Sequence, residues 1–107
     1  MQVVTRAGPA SNTAELRIRG ELDIASAPEL ASALDSLLAT DHRVVVLDLT
    51  ELTFLDCAGM RPIRTALCTL RDRGGTLVVR HPHPLVERAL RVAGLAEALE
   101  GGRQLLA

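Results

Sequence analysis

The residues of this chain best equipped for chemistry are two cysteines, three histidines and a set of carboxylates, and they are densest at Asp56-Cys57-Ala58-Gly59. A cysteine beside an aspartate, where a strand gives way to a helix, stands where α/β folds place their chemistry and their contacts. The positive end of a helix favours a thiolate, whereas a neighbouring carboxylate works in the opposite direction. A phosphatase-type loop would carry an arginine six residues after the cysteine, but that position is Ile63, and Arg61 and Arg64 miss it. No histidine lies nearby in sequence to serve as a base. Cys57 is therefore expected to be a small, semi-buried packing residue, and no catalytic residue is assigned.

The remaining candidates are weaker. If the chain between Cys57 and Cys68 is helical, the two sit ~16 Å apart, beyond the ~7 Å that a disulfide spans between Cα atoms. His81 and His83 alternate with Pro82 and Pro84, and with no third donor nearby they fall short of a zinc site. They read as a strand-to-helix turn. Arg61, Arg64 and Arg71 share the outer stripe of a helix with Cys68, the usual solvated face. Gly74-Gly75 is a helix stop, without the following helix N-terminus that a phosphate loop needs. No metal or cofactor is expected.

The elements that position these residues follow from hydrophobic periodicity. Residues 2–6 form a short edge strand, and Gly8 to Asn12 is a turn-rich connection. Ala14, Leu16 and Ile18 alternate with charged residues, the period of a half-buried strand that pairs back antiparallel. Ser26, Pro28 and Glu29 compose a capping box for a helix with Leu30, Leu34, Leu37 and Leu38 on one face. A strand at 43–49 follows, with Val44 to Leu47 buried on both sides. The second helix has an inner stripe of Met60, Ile63, Leu67 and Leu70. Pro62 would interrupt it if Asp56 were the cap, so its start is placed near Ala58 or Gly59, with Asp56 and Cys57 on the loop outside. Residues 76–80 give the next strand. A third helix turns Leu85, Val86, Ala89, Leu90 and Ala93 inward and stops at Gly94. Residues 95–99 read as a helical turn and 103–106 as a short strand. The order β-β-α-β-α-β-α implies an α/β fold with a mixed sheet, an antiparallel N-terminal hairpin followed by parallel strands, covered by helices.

Bulk properties agree with one small domain over residues 1–107. Nearly half the residues (48%) are hydrophobic and Phe54 is the sole aromatic, so the core is aliphatic and base-stacking nucleic-acid modules are excluded. A net charge of −1 gives no general attraction to nucleic acid or anionic membrane. All twelve basic residues are arginine, which excludes lysine chemistry. The N-terminus lacks the regions of a signal peptide and no apolar run has the length of a membrane span, so a cytoplasmic location is expected.

Three segments together resemble a known family. Gly20-Glu21-Leu22-Asp23, Val45-Val46-Leu47-Asp48-Leu49 and Phe54-Leu55-Asp56-Cys57-Ala58-Gly59-Met60 are similar to the STAS domains, in particular the single-domain anti-sigma-factor antagonists of bacteria. The last segment is similar to the family pattern F-[IVLM]-D-S-[ST]-G-[LIM], from which it departs at Cys57 and Ala58. The resemblance implies a non-enzymatic binding module whose partner is an anti-sigma factor, a GHKL-type serine kinase, and whose effect is on sigma-factor-dependent transcription. It also implies a contact surface of Asp23, Asp56, Cys57, Ala58, Gly59, Met60 and Arg61. In the family the kinase switches the antagonist off by phosphorylating the serine after the aspartate. Here that phosphoacceptor position is Cys57, followed by Ala58, so the usual switch is expected to be missing. Thr50 and Thr53 are hydroxyls close in sequence but not at the acceptor position, and Ser26 is assigned to capping. Two other readings stay open: an accessory subunit of a lipid-transport ATPase or a stress-sensing complex, and a small thiol enzyme using Cys57.

Overall fold

The computed structural model describes residues 1–8 and 12–99. Four strands, β1 Gln2–Ala7, β2 Thr13–Leu22, β3 Val44–Leu55 and β4 Thr76–Arg80, form one sheet in that spatial order. β1 is antiparallel to β2, and β2, β3 and β4 are mutually parallel. Three helices connect or follow the parallel strands: α1 Ala27–Leu38, α2 Cys57–Asp72 and α3 Pro84–Val92. This is the mixed α/β arrangement that the order of elements implied.

The two faces of the sheet differ because β2 alternates. Ala14, Leu16 and Ile18 point into a core shared with Val45 and Leu47 of β3 and Leu77 and Val79 of β4. The helices close that core with Leu30, Leu34, Ile63, Leu70, Val86 and Leu90. Each such buried side chain contributes about 1.5–3 kcal/mol, so aliphatic packing rather than any polar network holds the fold. The opposite face carries Arg17–Asp48 at 3.6 Å, Arg80–Glu15 at 3.4 Å and Arg19–Glu51 at 3.4 Å. Such partly solvated pairs contribute roughly 0–1 kcal/mol each.

β3 runs six residues beyond the strand read at 43–49. Its pairing explains why. Arg17 pairs with Asp48 but Arg19 with Glu51, and Gly20 pairs with Leu52 but Glu21 with Phe54. β3 therefore carries an extra residue at each irregularity, and its buried positions shift from a spacing of two to a spacing of three, at Leu49, Leu52 and Leu55. A strict period-2 template does not register that pattern.

Two helix expectations are corrected. Ser26 occupies the N-cap position of α1 but makes no side-chain cap bond, so the proposed box with Glu29 is absent. The Ser26 hydroxyl serves the preceding turn instead. In α3, Val86 and Leu90 are buried as expected, while Leu85 is 70% exposed and does not face the core. Residues 96–99 form the anticipated helical turn, with Leu95, Ala98 and Leu99 buried. The strand read at 103–106, and Pro9 to Ser11 of the first connection, lie outside the described residues.

Candidate functional site

β2 and β3 end side by side, with Leu22 opposite Leu55, and the residues that follow are Asp23 and Asp56. The Asp56 N–H donates to the Leu22 carbonyl at 3.3 Å, tying the two strand ends together. Asp56 then takes an extended backbone and its Oδ1 accepts from the Gly59 N–H at 2.9 Å. This is an N-cap that satisfies one of the free donors of the first turn.

α2 thus starts at Cys57, not at Ala58 or Gly59, and Pro62 lies inside it. The reasoning from Pro62 fails because its ring is accommodated elsewhere. Pro62 is buried and lines the seam between α1 and α2 beside Ala31 and Leu34. Packing there and the Asp56 cap offset the hydrogen bond that a proline cannot donate. Gly59 sets the other constraint. A Cβ at that position would lie 2.4 Å from the Leu22 carbonyl oxygen, so α2 is seated directly on the end of β2.

Cys57, expected to be semi-buried, is exposed. Arg61 is exposed as well, Asp56 and Ala58 are half-buried, and Gly59 and Met60 are buried supports beneath them. Asp23 belongs to the adjoining turn. Its Oδ1 accepts from the Ala25 and Ser26 N–H groups, each at 3.0 Å, and from the Ser26 hydroxyl at 3.1 Å. The Ser26 Oγ also accepts from the Asp23 N–H and donates to the Glu21 carbonyl, both at 2.9 Å. These bonds, first the one from the Ser26 backbone and then that from its hydroxyl, hold the Asp23 carboxyl below its ordinary pKa. The structure places Asp23 and Asp56 at the same end of the sheet but in different depressions, each shaping the start of a helix.

The nearby hydroxyls are engaged. Thr50 donates to Asp48, and Thr53 donates to the Gly20 carbonyl at 3.1 Å. Burial pushes the Asp48 pKa up, but the bonds from Thr50 and the charges of Arg17 and His81 outweigh it, leaving the carboxyl below its ordinary value. His83 caps α3, its Nδ1 accepting from the Leu85 N–H at 3.3 Å. Among the described residues no three His, Cys, Asp or Glu side chains are grouped to hold a metal ion.

Cys57 forms a ridge between two open depressions. One is bordered by Ile24, Pro28, Ala31, Arg61 and Pro62, the other by Leu55, Met60, Leu85 and Val92 with Arg64 and Arg88. Sequence reasoning missed the apolar rim of this surface. Ile24 is 76% exposed, Leu85 70% and Val92 81%, three of the five large hydrophobic side chains exposed among the described residues. Ile24 in a turn and a second apolar stripe on α3 were the available signals.

Comparison with known proteins agrees with this geometry. A family model described as "Mlab, STAS domain" matches residues 6–106. The chain belongs to the STAS domain family. It is 28% identical over 86 residues to an anti-sigma-B factor antagonist of Listeria monocytogenes, covering 80% of this chain and 75% of that protein. Its fold is similar to that of the anti-sigma factor antagonist SpoIIAA in its unphosphorylated form, with a TM-score of 0.79 at 18% identity, over 90% of this chain and 84% of the other. An anti-sigma factor antagonist from Mycobacterium paratuberculosis superposes with a TM-score of 0.75 at 22% identity, over 97% and 93% of the two chains. Among the described residues no helix is long and apolar enough to cross a membrane.

Proposed function

We propose that this chain is an anti-sigma factor antagonist that binds a GHKL-type anti-sigma kinase in the cytoplasm and lacks the usual serine switch. The antagonist relatives support the class of partner. The observation that carries the reading is the exposed apolar rim of Ile24, Leu85 and Val92 along the two depressions that meet at Cys57. Exposed apolar surface rimmed by polar groups marks protein contacts rather than catalysis. Among the described residues no histidine lines either depression beside Cys57, so the thiol has no imidazole base there.

The contact surface comprises Asp23, Asp56, Cys57, Ala58 and Arg61, with Gly59 and Met60 beneath. At the acceptor position a thiol replaces the hydroxyl, and the next residue is alanine. Thr50 and Thr53 donate their hydroxyls to neighbouring acceptors, which opposes their use as substitutes. Binding is then governed by abundance or by the redox state of Cys57. The test is binding to candidate anti-sigma kinases. Cys57→Asp, which sets a charge at the contact, is expected to weaken binding at least about tenfold, a loss of about 1.4 kcal/mol. Unchanged affinity would place the contact elsewhere.

A second reading keeps the surface and changes the assembly. The matching family model is described as Mlab, a different description from that of the antagonist relatives. An accessory subunit of a lipid-transport ATPase or of a stress-sensing complex would use the same exposed rim. Genomic neighbours separate the two: a kinase gene favours the first, transporter genes the second.

A further inference from the structure

α3 has more apolar surface than the core uses. Val86 and Leu90 are 2% and 0% exposed, whereas Leu85 and Val92 remain open at 70% and 81%. Leu85, Ala89 and Val92 recur at i, i+4 and i+7, so they form a second stripe along one side of the helix. α2 faces it with Cys57, Met60 and Arg64, which also share one stripe. The two stripes line an open groove of about 600 Å³ to which Leu55 and Ala93 also contribute. Small residues at 89 and 93 let a neighbouring helix approach closely. From Leu85 to Val92 the rise is ~10 Å, about two helical turns.

The charge along this groove is one-sided. Arg64 and Arg88 flank it, and Asp56 at its end is the sole carboxylate among the described lining residues. One Asp56 oxygen is already held by the Gly59 N–H. Arg64 donates to the Ala93 carbonyl at 2.7 Å, a neutral acceptor that fixes the side chain and leaves its charge available. The groove is therefore apolar along its length and positive at its sides.

We propose that the α2–α3 groove is the docking site for an amphipathic helix of the partner protein, its apolar stripe on Leu85, Ala89 and Val92 and its acidic side chains on Arg64 and Arg88. The proposal rests on the partner-binding function inferred above and adds where, and with what chemistry, the partner attaches. A second copy of this chain fits less well, because a two-fold contact would bring together two grooves that each carry Arg64 and Arg88 against the single carboxylate of Asp56.

The probe is a synthetic helical peptide with leucines at i, i+3, i+4 and i+7 and flanking glutamates, compared with the same peptide carrying lysines. Anisotropy titrations against the full chain are expected to show the glutamate peptide binding at least about tenfold more tightly. Leu85→Glu and Val92→Glu change exposed positions, so the variants fold, and each is expected to weaken the glutamate peptide about tenfold. Val4→Glu, exposed on the edge strand β1 and outside the contact surface, is expected to leave peptide binding unchanged. Equal binding of both peptides, or indifference to both α3 variants, overturns the proposal. So does a wild-type dimer that the α3 variants convert to monomer, since the groove is then a self-interface. Kinase binding that survives both α3 variants also overturns it while leaving the proposed function standing; loss of kinase binding in Cys57→Asp alone separates the two.

Discussion

The two ends of the parallel strands are built in opposite ways. At the end where β3 and β4 begin, the chain closes on itself. The Arg43 N–H donates to the Asn12 carbonyl and the Thr76 N–H to the Arg43 carbonyl, both at 2.8 Å. The Gly75 N–H donates to Leu70 at 2.7 Å, and the Arg43 guanidinium reaches the Arg73 carbonyl at 3.2 Å. Among the described residues, none of the exposed large hydrophobic side chains lies in these connections. Where β2 and β3 end, backbone bonds also fix the turns, but the side chains they present, Ile24, Cys57 and Phe54, face solvent. One end completes the fold, and the other uses a rigid backbone to display a surface. The carboxyl ends of parallel strands are where α/β sheets generally place their sites.

Substitutions at the two ends should therefore separate stability from binding. The largest stability effect is expected from Gly75→Ala. Its Cβ would fall 2.2 Å from the Arg43 carbonyl oxygen, so backbone must move, at a cost of about 1–3 kcal/mol. Urea denaturation reads that loss, and partner affinity of the folded fraction should stay at the wild-type level. A neutral Gly75→Ala would break the contrast.

A smaller effect is expected at the displaying end. Asp56→Ala removes the α2 cap and should cost about 1 kcal/mol, whereas Asp56→Asn keeps a capping oxygen and should cost a few tenths. The same denaturation series checks both. Equal losses for the two variants would mean that charge, not the cap, matters at this position.

The smallest effect is expected on the polar face of the sheet and depends on pH. The Asp48 carboxyl is held below its ordinary value of 3.8, so it stabilises the fold above that pH. This contribution is lost as pH falls through the lowered folded-state value, because the unfolded chain binds the proton more readily. Urea midpoints should fall on acidification, and Asp48→Asn should flatten that fall slightly. An unaltered acid profile would show that the Thr50 bonds and Arg17 do little for Asp48.

The order of elements and most of the core were legible because periodicity is dictated by burial, as Leu30, Leu34 and Leu38 in α1 illustrate. The start of α2 was not, because the cost of Pro62 was visible locally while its packing along α1 depends on a distant helix. The length of β3 was hidden by two irregularities whose existence depends on its partner strand. The apolar stripe of Leu85 and Val92 was ambiguous for another reason: α3 carries two stripes, and only tertiary packing decides that Val86 and Leu90 face inward. The family-like segments did locate the strand ends at which Asp23 and Asp56 stand.

The central claim, the proposed contact surface without the serine switch, is tested most directly by incubating the chain with candidate anti-sigma kinases and ATP while following complex formation and intact mass together. The proposed function predicts a complex that persists and a mass that does not change. Stoichiometric gain of one phosphate at Thr50 or Thr53, with dissociation of the complex, would contradict it.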